Sequence, residues 1–219
     1  MVKIREIFTS IQGEGPFVGY KQLFARFSKC NLNCKYCDTD FDINKSKEYT
    51  PDELAIICEN NRDCHSISLT GGEPLLEVDF LKDFLPICPL EVYLETNGTL
   101  WESLAEIIDY VSYISADIKL PSATNQSVKW DEHDKFFEIA SRKNLFAKVV
   151  FDSSINDIEI FNITKLCKKY DIELILQPMM IGNKPSVTPE FISKILDKCL
   201  KFYPNIRVIP QTHKFIGVD

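Results

Sequence analysis

Short apolar runs alternate along this chain with longer stretches in which apolar residues recur every three or four positions. The runs are Ile4 to Ser10, 21–28, 65–70, Glu91 to Glu95, Val111 to Ile118, Leu145 to Phe151, Ile172 to Leu176 and Ile206 to Ile209; each reads as a strand. Thr50-Pro51-Asp52-Glu53 opens a helix: Thr50 can cap, Pro51 suits the first helical position and Glu53 completes a capping box. Leu54, Ile57 and Cys58 then share a face. Further helices are predicted at about 77–86, at 101–110, near 132–143, after the Asn156/Glu159 cap, and from Thr188-Pro189-Glu190. The last has a continuous apolar face of Phe191, Ile192, Ile195, Leu196, Cys199 and Leu200. The stretch 41–49 reads as loop.

Six strand-then-helix units in succession predict a parallel sheet with helices outside it. Six are too few to close an eight-stranded barrel, so the expected α/β fold is an open, partial (β/α)6 barrel of the TIM type. No linker or repeat divides it, and 1–219 is expected to be a single domain. Folds of this kind build their sites at the carboxyl ends of the strands. At that rim stand a cysteine-rich loop, Gly71-Gly72-Glu73-Pro74, Thr96-Asn97-Gly98, Lys119 and Gln177.

Composition narrows the class. Apolar residues make up 45% of the 219 and charged residues 26%, an ordinary globular balance. The formal charge of −7 argues against nucleic acid, which needs a basic footprint. No apolar run approaches the roughly 18 residues of a membrane span, and Met1 to Glu6 does not open a signal peptide. Of eight cysteines, Cys58, Cys64, Cys88, Cys167 and Cys199 sit mostly in apolar periodic stretches and read as core filler. A reducing, cytoplasmic setting is expected.

The other three cysteines form C-x3-C-x2-C in Cys30-Asn31-Leu32-Asn33-Cys34-Lys35-Tyr36-Cys37. Zinc prefers paired C-x2-C units and four protein ligands, and no second pair occurs. Neighbours this close rarely meet disulfide geometry. Iron–sulfur cubanes take four thiolates, so three leave one iron open for a small molecule that receives an electron. The spacing favours this reading over a non-catalytic zinc or iron–sulfur module.

The motif resembles that of the radical S-adenosylmethionine (SAM) enzymes. The resemblance implies a [4Fe–4S] cluster on Cys30, Cys34 and Cys37, with SAM on the fourth iron. It also implies SAM contacts from Tyr36, Cys37, Asp38, Gly72, Glu73, Ser115, Ala116, Asp117, Gln177, Pro178, Met179 and Met180. The Gly-Gly pair is expected there because a side chain would block the backbone's approach to SAM.

Three further segments, Ile11-Gln12-Gly13-Glu14-Gly15, Cys37-Asp38-Thr39 and Gln211-Thr212-His213-Lys214, make the chain similar, nearly end to end, to the 7-carboxy-7-deazaguanine synthases of queuosine and deazapurine biosynthesis. Members turn 6-carboxy-5,6,7,8-tetrahydropterin into 7-carboxy-7-deazaguanine, a lyase reaction that loses ammonia. The resemblance implies Mg2+ on Thr39, with Ile11, Gln12, Gly13, Glu14, Arg26, Thr70, His213 and Asp219 at the substrate. A loop at about 10–16 would bind it and a tail at about 205–219 would close the site. A carboxylate such as Glu14 suits the paired N–H donors of a pterin, and the Arg26 fork suits its carboxylate. No general acid or base stands out. A homodimer and an electron donor such as flavodoxin or ferredoxin are expected partners. A glycyl-radical enzyme activase shares the cysteine motif, but the Gln12/Glu14 and His213 segments argue against it.

Overall fold

The computed structural model describes residues 1–35 and 45–218. Its main sheet has nine strands. The chain opens with β1 (Val2–Ile11), β2 (Lys21–Phe27) and β3 (Lys47–Tyr49). Five helix-linked strands then follow in order: α1 (Pro51–Glu59), β4 (Ser66–Gly71), α2 (Val78–Phe84), β5 (Val92–Thr96), α3 (Trp101–Ile107), β6 (Tyr113–Asp117), α4 (Pro121–Thr124), α5 (Trp130–Ala140), β7 (Asn144–Phe151), α6 (Asp157–Tyr170) and β8 (Glu173–Pro178). A small hairpin of β9 (Met180–Ile181) and β10 (Lys184–Pro185) precedes α7 (Pro189–Leu200), β11 (Ile206–Val208) and α8 (His213–Ile216). The sheet order is β11-β8-β7-β6-β5-β4-β2-β1-β3. From β2 to β11 every neighbouring pair is parallel, and the result is the partial (β/α)6 barrel the pattern predicted.

The helix starts follow from capping chemistry. Thr50 with Glu53, and Asn156 with Glu159, each form a complete capping box. Thr188 caps α7 through the Phe191 N–H, with Pro189 at the first helical position.

The strands sort their residues by alternation. One face carries Leu23, Ala25 and Phe27 on β2, Ile67 and Leu69 on β4, Leu94 on β5, Ile114 on β6, Val149 on β7 and Leu174 and Leu176 on β8, all buried in the main apolar core. The opposite face looks into the barrel. Its deepest layer is mainly aromatic, with two isoleucines: Tyr93, Phe146 and Ile175, packed by Phe17, Tyr113 and Ile209. The Phe17 ring lies 4.7 Å from Tyr113 and 5.3 Å from Tyr93. Above this floor the inward positions are polar.

β1 departs from the expected parallel sheet. It runs antiparallel to β2, pairing Ile11 with Lys21. Residues 12–20 are too short for the dozen or so residues that a parallel crossover needs. The loop after β1 therefore starts beside the amino-terminal end of β2, opposite the cysteine loop. β3, at the end of the stretch read as loop, pairs with β1 at the sheet edge. The hairpin β9–β10 and the one-turn helices α4 and α8 carry too few residues to show a period.

Candidate active site

A cavity of about 580 Å³ fills the barrel above the aromatic floor. Cys30 and Cys34 line it from the loop after β2. Thr70, Gly71 and Gly72 line it from the end of β4, Asp117 from β6, Gln177 from β8, and Met179 and Met180 beyond β8. Ile11, Gln12, Gly13 and Glu14 reach it from the loop after β1, Arg26 from β2 and His213 from α8. Residues from both ends of the barrel thus meet around one space. Tyr36, Cys37, Asp38, Thr39 and Asp219 lie outside the described residues.

The cysteine side is organised by one buried carboxylate. Glu73 accepts from the Leu75 N–H (3.1 Å), the Thr96 hydroxyl (2.8 Å) and the Asn97 N–H (2.7 Å). This ties the end of β4 to the end of β5. Asn97 Nδ2 in turn donates to Asn31 Oδ1 (2.7 Å), and Asn31 Nδ2 donates to the Thr99 hydroxyl (3.0 Å). Asn31 sits between the cysteines, so Glu73 holds their loop through Asn97 and Thr99. Burial raises the Glu73 carboxyl to about 7, with the three hydrogen bonds pulling the other way.

The structure changes the reading of four SAM candidates. The Glu73 side chain is spent on this clamp and does not line the cavity. Ala116 points outward, into the helix-covered core. Ser115 and Pro178 are buried in the strands and likewise off the lining. Alternation on β6 turns Ala116 outward, while Ser115 shares the inward face with Asp117 one step deeper, and Asp117 is the one of the trio that lines the cavity. The reason for glycine at 72 also differs from the expectation. A Cβ there would overlap the backbone carbonyl of Lys29, so glycine lets β4 pack against the cysteine loop itself. The Gly72 N–H donates to Phe27 O (2.9 Å) and that of Glu73 to Lys29 O (2.7 Å).

The substrate-loop side is organised by charge. Lys148 on β7 is buried. Its Nζ bonds Glu14 Oε2 and lies 3.3 Å from Asp117 Oδ1, while Lys119 holds Asp117 Oδ2 at 2.7 Å. Gln211 donates to Glu14 Oε1 at 2.6 Å. Burial would raise the Glu14 carboxyl, but Lys148, Gln211 and His213 together hold it down at about 2. Lys148 stays protonated far above the usual range: burial opposes its charge, and Asp117, Glu14 and Glu95 outweigh burial.

The Gln12 amide donates to Gln22 (2.9 Å) and Glu95 (3.1 Å), and Glu95 also accepts from Ser68 (2.9 Å) and Thr70 (3.1 Å). The tail joins this network. The Thr212 N–H donates to Gly13 O at 2.7 Å, and a Cβ on Gly13 would overlap the His213 ring. The two segments paired in the sequence reading therefore touch. Arg26 pairs with Glu6 across β1 and β2 (2.7 Å), its guanidinium over the Phe8 ring.

Lys148, Glu95 and Gln211 were not among the expected site residues. Two of them carried a signal: a lone charge in an otherwise apolar strand, as in Phe146-Ala147-Lys148-Val149-Val150 and Val92-Tyr93-Leu94-Glu95. Such a charge must be paired or functional.

The residues fit the groups that the motif implies. Cys30 and Cys34 line the cavity mouth half-buried, and neither is in a disulfide. Gln177 lines the cavity, and its Oε1 is buried with no hydrogen-bond partner among the described residues; a ligand donor such as a ribose hydroxyl would satisfy it. Among the described residues no helix is long and apolar enough to cross a membrane.

Comparison with known proteins agrees. Residues 26–152 match the Radical SAM superfamily. The chain is 36% identical to the 7-carboxy-7-deazaguanine synthase of Geobacter sulfurreducens, over 98% of this chain and 97% of that one. It is 33% identical to that of Archaeoglobus fulgidus, over 97% of each. The crystal structure of QueE from Escherichia coli superposes with a TM-score of 0.66 over 97% of this chain and 94% of that one; at 18% identity this likeness concerns the fold. This chain is a radical SAM enzyme and belongs to the family of 7-carboxy-7-deazaguanine synthases.

Proposed function

We propose that this enzyme is a carbon–nitrogen lyase that contracts the ring of 6-carboxy-5,6,7,8-tetrahydropterin to 7-carboxy-7-deazaguanine with loss of ammonia. The observation that carries the reading is the meeting of Glu14 with Gln211 and His213 inside the cavity that Cys30 and Cys34 line. A cluster-only or zinc module has no use for a polar chamber behind its cysteines.

Cys30, Cys34 and Cys37 would hold the [4Fe–4S] cluster, and Gln177, Asp117 and the Met179–Met180 segment would face SAM. When bound, cluster and SAM supply a 5′-deoxyadenosyl radical that takes hydrogen from the substrate. The protein's share is orientation. Glu14 accepts from the amino and ring N–H of the pterin as charge-assisted bonds. Gln12 and the backbone at Ile11 and Gly13 hold the same edge, and Thr70 touches the ring. Arg26 faces the substrate carboxylate, and His213 with Asp219 closes the site. The aromatic floor keeps bulk water from below. Mg2+ on Thr39 would share the substrate carboxylate, since magnesium prefers oxygens and keeps several waters. The enzyme would work as a homodimer in a reducing compartment such as the cytoplasm, reduced by a flavodoxin or ferredoxin.

Anaerobic reconstitution with iron and sulfide, followed by assay with SAM, reductant, Mg2+ and the carboxytetrahydropterin, tests the reading. Expected are a brown protein, SAM-dependent appearance of 7-carboxy-7-deazaguanine, and loss of the Mg2+ response in Thr39→Ala. SAM cleavage with no deazaguanine formed would overturn the substrate; zinc on the three cysteines would overturn the chemistry.

A further inference from the structure

The barrel holds one buried ammonium to which the reaction above gives no part. Lys148 Nζ lies between two carboxylates that belong to different ends of the cavity. Glu14 comes from the loop under the barrel and Asp117 from the rim of β6. Glu95 on β5 adds a third negative charge nearby, and Tyr93 below is neutral, its hydroxyl pushed well above the usual range by burial first and by Glu95. Asp117 has a second cation in Lys119. Glu14 has Lys148 alone as a bonded cation among the described residues, with His213 near it.

A carboxylate offers about four acceptor directions, two on each oxygen. Lys148 fills one on Glu14 Oε2 and Gln211 fills one on Oε1. One direction is left on each oxygen. That is the pattern an amino group and an adjacent ring N–H require. Gln211 alone could not fix it, because a single hydrogen bond leaves the carboxylate free to turn about its Cγ–Cδ axis.

We propose that Lys148 is a positioning residue for substrate recognition: it aims the Glu14 carboxylate so that both oxygens face the paired N–H donors of the pterin. The inference rests on the pterin reading above. In this role Lys148, which also lines the cavity, acts through Glu14. Its removal would leave Glu14 buried near Glu95 and Asp117 with no bonded cation, and the carboxyl would take up a proton in the neutral range. A protonated Glu14 offers one acceptor and one donor to a partner with two donors, and binding fails.

The test is pterin affinity in the reconstituted holoenzyme with SAM, by anaerobic calorimetry from about pH 6 to about pH 8.5, for the wild type, Lys148→Met, Lys148→Arg, Glu14→Gln and the Glu14→Gln/Lys148→Met pair. Lys148→Met should bind pterin at least about 30-fold more weakly at the acid end. It should recover toward the alkaline end, relative to the wild type, as Glu14 ionises. Lys148→Arg keeps the charge and should stay within about tenfold of the wild type without acquiring that slope. In the Glu14→Gln background, Lys148→Met should cost less than about threefold further, because its effect passes through Glu14. SAM affinity should change little throughout.

A folded, iron-replete Lys148→Met with wild-type pterin affinity at every pH would overturn the inference. So would full additivity of the two substitutions. If Lys148→Met alone does not fold, Lys148→Arg and the double substitution, in which both charges are gone, decide by the same criteria. A wild type that binds SAM but no pterin would overturn the pterin reading and this inference together, and is distinguishable from the failure of the inference alone.

Discussion

On the substrate-loop side of the cavity, Glu14, Lys148, Asp117 and Lys119 form a chain of alternating charges. On the cysteine side, Asn31, Asn97 and Thr99 form a chain of amides and hydroxyls that ends on one carboxylate, Glu73. Both networks are buried or half-buried except at Asn31, which is exposed, and both link segments distant in sequence. On the proposed function, the difference follows from what each side would face. A cluster on thiolates brings its own charge, and neutral donors around its loop add no fixed ion to compete with it. A neutral pterin edge brings only N–H donors, so that side must supply the charge, and each buried carboxylate there needs a cation.

Substitutions can break this comparison, the most severe first. Cys34→Ala should abolish cluster assembly and activity outright while shifting unfolding free energy by less than about 1 kcal/mol, because the thiol is half-buried and adds little packing. Iron content and urea unfolding measured together check both halves of that statement.

Gly13→Ala acts on the other side. Its Cβ would overlap the His213 ring and push the tail off the loop. A displacement of about an ångström should cost about 100-fold in kcat/KM, mostly in the pterin KM, with iron content unchanged. Loss of iron in this variant would show that the two networks are not separable.

Glu73→Gln replaces one acceptor oxygen by an NH2 group facing donors, and should cost about 2 kcal/mol at pH 5. The native residue also makes stability depend on pH. Burial raises its carboxyl from 4.5 to about 7, so the folded chain keeps a proton that the unfolded chain has released. That contribution is full below 4.5, is lost as pH rises to about 7, and is flat beyond. Urea unfolding across this window should show the decline in the wild type and not in Glu73→Gln.

Asn31→Ala is the mildest. It removes two hydrogen bonds made by an exposed residue of the cysteine loop, should cost about 1 kcal/mol, and should lower iron retention after gel filtration without changing pterin affinity.

The sequence made much of this legible where local chemistry decides structure. The caps at Thr50, Asn156 and Thr188 marked the helix starts, and the six units gave the barrel, because each signal lies within a few residues of its effect. The cysteine loop and the strand-end glycines were legible for the same reason. The inner network was harder. Lys148 and Glu95 sit at inward positions of strands whose other residues are apolar on both faces, so period alone did not separate inside from outside. Glu73 stood next to a recognised glycine pair, and only the register of β4 and β5 shows that its side chain serves Asn97 and not the cavity. The strand β1 was legible and its antiparallel direction was not, because a run of alternating residues looks the same either way.

The bond between Gln211 and Glu14 joins positions 197 residues apart. During synthesis the cysteine trio and most of the parallel sheet leave the ribosome well before Gln211 does. A nascent chain could therefore acquire its metal while Glu14 still lacks its last partner and the pterin has no finished floor to rest on. Maturation in that order would make recognition of the heterocycle the final event of folding, and a chain cut short of Gln211 would be brown and silent.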